Sequence, residues 1–339
     1  MSKETSQWLN QNVLVGMTDK RGSAWHYKAS EQGAEPNHYA GAVPIEDVNR
    51  RLFHWKALEV PMWIDVPLGI IDNTEQQIEV PNKKAIVRSD TFDVLGVHSG
   101  SYASHQYDEW LLKSVSNILD DDLVIGSAGL LKNGAIAWVQ VEMPENSKVA
   151  DVEFRPNLLA TTSFNGSIST TYKRTVTIVV CDNTREIALR EDSEQIKIRH
   201  TANSAVRLDN ARNALNIVHQ LEDAFGKEIA QLLDTAFTDQ QFEKFLTKLI
   251  PVKDTESKQA LTRSDNLKSE FLTLWREDER VSPWRGTAFG VMQAVNTHRQ
   301  HMRSTRKGNL IVERTMLESL NGKLERLDKR ALNIIHSMS

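Results

Sequence analysis

The chain changes character near residue 200, and that change limits the folds open to it more than any single motif does. Before it, short apolar runs alternate with turn residues. After it, apolar residues recur every three or four positions. Lys132-Asn133-Gly134 separates two apolar runs between Val124 and Met143, and Asn-Gly is a strong hairpin signal. Ala135, Ala137, Val139 and Val141 alternate with Ile136, Trp138, Gln140 and Glu142, which predicts a half-buried strand. Further strands are predicted over Trp55 to Ile64, interrupted by Pro61, and over 85–89, 94–97 and 158–164. Arg174 to Cys181 makes the clearest strand, and 196–199 the last. A short helix follows Pro44, from Ile45 to Phe53.

From Val206 to Ala236, Leu208, Ala211, Leu215, Val218, Leu221 and Phe225 fall on one helical face. Helices over 242–249, 260–276, 288–302 and 312–335 follow, with Pro251 and Pro283 at the breaks. Strands before helices predict an α+β fold rather than a doubly wound sheet. An antiparallel sheet with hairpins fills the N-terminal two-thirds and packs on helices. The expected division is an α+β core over residues 1–236 and a helical region over 237–339.

The chemistry is bounded mostly by exclusion. The glycine-rich segment Gly126 to Gly134 lacks the Lys-Ser/Thr pair that a phosphate-binding loop places after its last glycine. No G-x-G-x-x-G, H-E-x-x-H or G-x-S-x-G run occurs. His298 and His301 share a helical face without an evident third ligand, and Asp120-Asp121-Asp122 reads as a solvated end rather than a two-metal site. No metal, cofactor or enzymatic activity is expected. Cys181 is the single cysteine, so no internal disulfide or thiolate metal site can form, and it reads as a small strand filler suited to a reducing cytoplasm. No run of 18 apolar residues occurs and the polar N-terminus lacks a secretory pattern, so no membrane association is expected.

Charge supplies the positive signal. Net charge is −4, yet residues 280–307 hold six bases (Arg280, Arg285, Arg299, Arg303, Arg306, Lys307) and no acid. Arg299, Arg303 and Arg306 would share one helix face, suited to a phosphate backbone. A second group comprises Lys173 and Arg174 at the head of the best strand, with Arg199, Arg207 and Arg212 beyond it. Phe164 and Tyr172 are the nearby stacking candidates. Residues 31–80 carry nine acids against three bases.

Several segments together resemble the phage/plasmid-like proteins whose shared region is known as a domain of unknown function. They are Trp25-His26, Trp55, Val60-Pro61, Val87-Arg88-Ser89-Asp90, Val94-Leu95-Gly96-Val97, Tyr102 with Gln106, and Ser163-Phe164-Asn165-Gly166-Ser167. The most specific run is Val180-Cys181-Asp182-Asn183-Thr184 with Arg199-His200-Thr201, and Gly286 to Gly290 follows near the end. In the turn at 163–167, Phe164 and Asn165 stand where the family has histidine and aspartate. Asn183 and Thr184 also read as a helix N-cap. A remoter similarity links the chain to single-strand annealing recombinases of the Red-beta, RecT and Rad-fifty-two type.

That resemblance implies a single-stranded DNA-binding and annealing protein of a phage or mobile element, at work in homologous recombination in the cytoplasm of a bacterial host. It would need no ATP, form rings or filaments of itself and pair with a phage exonuclease. Lys173, Arg174, Arg199, Arg207 and Arg212 would be its first phosphate contacts, and Arg299, Arg303 and Arg306 its second. Cys181, Asn183, Thr184, His200 and Thr201 form the family motif. The competing reading is a non-enzymatic interaction protein, assembling through an acidic N-terminal and a basic C-terminal surface.

Overall fold

The computed structural model describes residues 11–22, 30, 32–67, 75–119, 123–178, 183–186, 196–198, 209–252, 257–302, 314, 317–318 and 323–338. The fold is α+β, with the strands before residue 200 and the long helices after it. Chain contacts divide it into two compact units. The first comprises 1–144, 158–173 and 194–216, and the second 145–157, 174–193 and 217–339. The sequence boundary at residue 236 falls inside the second unit.

The strands are β1 (Val13–Val15), β2 (Ala57–Pro67), β3 (Glu75–Arg88), β4 (Val94–Ser99), β5 (Val124–Leu131), β6 (Ile136–Glu142), β7 (Ser147–Val149), β8 (Val152–Ser163), β9 (Thr170–Ile178), β10 (Asn183–Glu186) and β11 (Ile196–Ile198). The eight-stranded sheet runs β1-β5-β6-β8-β9-β10, with β11 on β9 and β7 on β8. The three-stranded sheet runs β2-β3-β4.

In the first unit, β5 and β6 form the hairpin expected at Asn133-Gly134. The turn is a short 3-10 segment in which Asn133 takes φ 56°. β6 departs from the half-buried expectation, because both alternating sets of its side chains are buried. The glycine-rich run explains half of this. A Cβ at Gly129 would stand 2.7 Å from the Trp138 ring, so the bare backbone of β5 lets that indole lie across it. The segment that lacks a phosphate cradle is thus a strand cut away for its neighbour. The helix after Pro44 is α-helical over Ile45–Val48, widens to a π-turn over Asn49–Phe53, and buries Val48, Leu52 and Phe53.

β2, β3 and β4 are antiparallel throughout. Pro61 marks an irregularity, since the register shifts between Pro61 and Trp63 where the proline has no N–H for the ladder. Opposed residues share a face. One face carries Ala57, Glu59, Ile86, Arg88, Gly96 and His98; Ala57 and Ile86 are buried. The other carries Leu58 opposite Val87, Val60 opposite Ala85 and Val97 opposite Ala85 in turn.

The helices are α1 (Asp209–Asp234), which belongs to the second unit from Ile217 onward, and, wholly within that unit, α2 (Asp239–Leu249), α3 (Lys258–Glu277), α4 (Ala288–Thr297) and α5 (Lys323–His336). Hydroxyl residues start three of them. Thr238 and Gln241 close a capping box on α2, Ser257 accepts from the Ala260 N–H, and Thr287 accepts from the Gly290 N–H. The core joins Val152, Phe154 and Val176 to Phe225, Phe242, Phe245, Trp275, Trp284 and Phe289. Phe242 and Trp275 stack at 4.4 Å. No helix among the described residues is long and apolar enough to cross a membrane.

Candidate nucleic-acid interface

The sequence-chosen cations do not converge on one exposed groove within the described residues. Lys173 lies on β9 and is buried, at 5% exposure. Arg174 follows it on the strand, and Arg212 lies on α1. Arg199, Arg207, Arg303 and Arg306 lie outside the described residues, as do Cys181, His200, Thr201 and Asp120 to Asp122. The stacking candidates Phe164 and Tyr172 are both buried, at 1% each.

Arg299 departs most from expectation. The helix predicted to run to Met302 ends as an α-helix at Thr297 and widens into a π-turn over His298–Met302. That turn breaks the 3.6-residue phase on which a shared Arg299, Arg303 and Arg306 face depended. Arg299 is 9% exposed, and its Nη1 stands 3.7 Å from Oδ1 of Asp328, itself 1% exposed. Burial holds this guanidinium inside the fold, away from an open backbone-binding face. His298 Nε2 donates to Glu270 Oε2 at 2.9 Å, and its ring stacks on Phe271. Among the described residues no group of three or more potential metal ligands occurs.

Other members of the basic run also meet acids, one distant in sequence and one adjacent to the run. Arg285 Nη2 donates to Asp239 Oδ2 at 2.6 Å, and Trp275 Nε1 donates to Oδ1 of the same carboxylate at 2.8 Å. These two hydrogen bonds, the arginine's first, hold the Asp239 carboxyl below its ordinary range. Arg280 donates to both oxygens of Asp278. The acidic N-terminal stretch is answered in the same way. Arg50 bridges Glu35 and Asp47, and Lys84 meets Glu59. Burial alone would raise the Glu59 carboxyl, but Lys84 and Ser104 outweigh it and hold it low.

Asn183 and Thr184 correct a second expectation. They open strand β10 and pair with Ile178 and Thr177 of β9, so they do not cap a helix. The backbone groups that a cap would satisfy are committed to the ladder instead.

What the structure does bring together is the first half of the resemblance. Trp55, Arg88 to Asp90, Gly96, Tyr102, Gln106 and Ser163 to Ser167 meet where the three-stranded sheet joins the first unit's body. Arg88 lies over the Trp55 ring at 4.2 Å, donates to both Asp90 oxygens and donates to the Asn133 carbonyl. That pairing holds the Asp90 carboxyl low. Gln106 acts as a side-chain strand partner, accepting from the Ala57 N–H at 3.0 Å and donating to the Ala57 carbonyl at 2.9 Å. Tyr102 Oη donates to the Ser163 carbonyl at 3.0 Å, and burial pushes its ionisation well up. His98 Nε2 donates to the Phe164 carbonyl at 2.6 Å and its ring stacks on Tyr102. A Cβ at Gly96 would stand 2.5 Å from the Phe164 carbonyl oxygen. Phe164 stacks on Tyr107, which meets Trp55 edge-on.

These contacts make a mechanical joint. The arginine, histidine and tyrosine spend their polar atoms on backbone carbonyls and on Asp90, and the aromatic rings fill the space between. Sequence reading missed His98 as part of it. It also missed a buried chain in which His105 Nδ1 meets Thr170 Oγ1 at 2.7 Å and Thr170 meets Thr162 at 2.8 Å, with Trp110 stacked on the imidazole at 3.5 Å.

Residues 94–320 match the family model described as Domain of unknown function (DUF932). Neither a curated protein nor a solved structure matches the chain.

Proposed function

The chain belongs to the DUF932 family, and from that premise we propose a single-stranded DNA-binding and strand-annealing protein of a phage or mobile element. It acts without ATP and as a homo-oligomer in homologous recombination, in a bacterial cytoplasm and beside a phage exonuclease. The observation that carries the reading is the joint just described. Segments shared with the phage/plasmid-like family gather in one α+β unit around a hairpin, which suits the α+β core that the remoter annealing-type similarity implies. Arg174, Arg199, Arg207 and Arg212 are the phosphate contacts of this reading, and Arg303 and Arg306 the second set. Lys173 and Arg299 are set aside because they are buried.

The test is fluorescence anisotropy with labelled single- and double-stranded oligonucleotides across a salt series. The expected result is salt-dependent preference for the single strand. An Arg174→Ala, Arg199→Ala double variant should flatten the log–log salt slope by roughly 1.4, about 0.7 per lost contact on a single strand. Unchanged affinity and slope would remove those two residues from the interface. No binding to either form at low salt would remove the reading itself.

The competing interaction-protein reading through opposite charges is weakened by the intrachain pairs. Arg280, Arg285 and Arg299 face Asp278, Asp239 and Asp328, while Glu35, Asp47 and Glu59 face Arg50 and Lys84.

A further inference from the structure

The β2–β3–β4 sheet turns an apolar face outward, where an antiparallel sheet with one covered face ordinarily places polar residues. Leu58, Val60 and Ile64 alternate along β2. Ile78 stands opposite Ile64, and Val94 and Val97 lie on β4. All six are exposed, from 39% at Val60 to 64% at Val94. Glu59 pairs with Lys84 and Arg88 with Asp90, while Asp65 and Glu79 alternate with Ile64 and Ile78 and so belong to the opposite face. Lys83, opposite Ser99, stands only at the margin of the row.

The turn between β3 and β4 adds an aromatic residue in an unusual state. Phe92 is 73% exposed and takes φ 60°. A left-handed backbone is strained for a residue that carries a Cβ. Such strain gathers at functional positions, and exposed aromatic side chains are frequent anchors of protein interfaces.

We propose that this outer sheet face is a self-association surface on which a second copy of the chain packs, sheet against sheet. Area argues for the size of the partner. The exposed parts of these residues and Phe92 amount to on the order of 700 Å², about what one partner contributes to a standard interface. Charge argues for its identity. A two-fold contact sets a patch against itself, so a charged patch repels its own copy whereas an uncharged aliphatic one does not. Sheet-on-sheet packing at about 10 Å then lets the two rows interdigitate. The proposal supplies the surface for the homo-oligomer in the reading above, but it stands without strand binding, because particle mass and anisotropy are read separately.

Sedimentation velocity on the full chain, from about 1 to about 100 μM, tests it. The wild type should sediment as a multiple of its 38.4 kDa chain mass. A Val60→Lys, Val97→Lys double variant should at least halve that mass while keeping its far-UV circular dichroism. Phe92→Gly, which suits the left-handed backbone and leaves the strands untouched, should weaken association about tenfold. A wild type that stays monomeric throughout overturns the proposal. So does an unchanged mass in the folded lysine variant. If the lysine variant does not fold, Phe92→Gly decides, and unaltered association there overturns the proposal as well.

Discussion

Arg299 shows how far a single side chain can depart from its local sequence. Its neighbours suggest an open cationic stripe, since six bases run from 280 to 307 without an acid. Its partner, Asp328, lies 29 positions on and is buried with it. Removing one member of a buried ion pair strands the other charge, at about 3–5 kcal/mol. Asp328→Ala should therefore lower the unfolding free energy by that amount, read in urea as a lower midpoint at unchanged slope, and a loss below about 1 kcal/mol would show that the pair carries little. Gln106 works on the same scale with less at stake. It was legible as a member of the resemblance but not as the partner of Ala57, because nothing local says that an amide will complete the first rung of a strand 49 positions away. Asn183 and Thr184 were misread for a related reason. Their residue types suit a cap and an edge strand alike, and only the neighbouring β9 chose between them.

At the scale of elements, the sequence was most informative where the signal was local. The Asn133-Gly134 hairpin and the interruption at Pro61 follow from turn and proline chemistry, whereas the sequence reading did not pick out the helix caps at Thr238, Ser257 and Thr287. Long-range packing was not visible in this way. Gly96 looks like one more residue of a short strand, yet the Phe164 carbonyl approaches so closely that a methyl group has no room. Gly96→Ala should push β4 off the joint and cost about 1–3 kcal/mol, the range of an overpacked site. Thermal unfolding followed by near-UV circular dichroism would report it, and an unshifted midpoint would mean that the sheet is not seated there. The π-turn over His298–Met302 is another such case, since apolar periodicity carries no mark of where a helix will widen.

For the whole molecule, charge is best described by its pairing rather than its sum. The near-neutral total hides carboxylates held in the ionised form by cations from two residues away to, for Asp239, 46 residues away. Glu35 and Asp47 are lowered by Arg50, Asp90 by Arg88, and Asp239 by Arg285 and Trp275. A carboxyl whose folded ionisation lies below its unfolded value contributes stability above the unfolded value and loses it as pH falls through the folded one. Unfolding free energy should therefore be level between about pH 5 and 8 and fall below about pH 4. Urea titrations at stepped pH would show the decline, and a steady loss from pH 7 downward would point to histidines instead.

The sequence by itself determined the α+β class and the order of strands before helices. It also determined the main hairpin, because that rests on residues a few positions apart. Tertiary structure alone decided which charges are spent and where the resemblance residues act. It also decided which sheet face is left apolar and open. Those outcomes depend on partners tens of residues away, and a linear reading assigns every cation and every strand face to solvent until the fold supplies a neighbour.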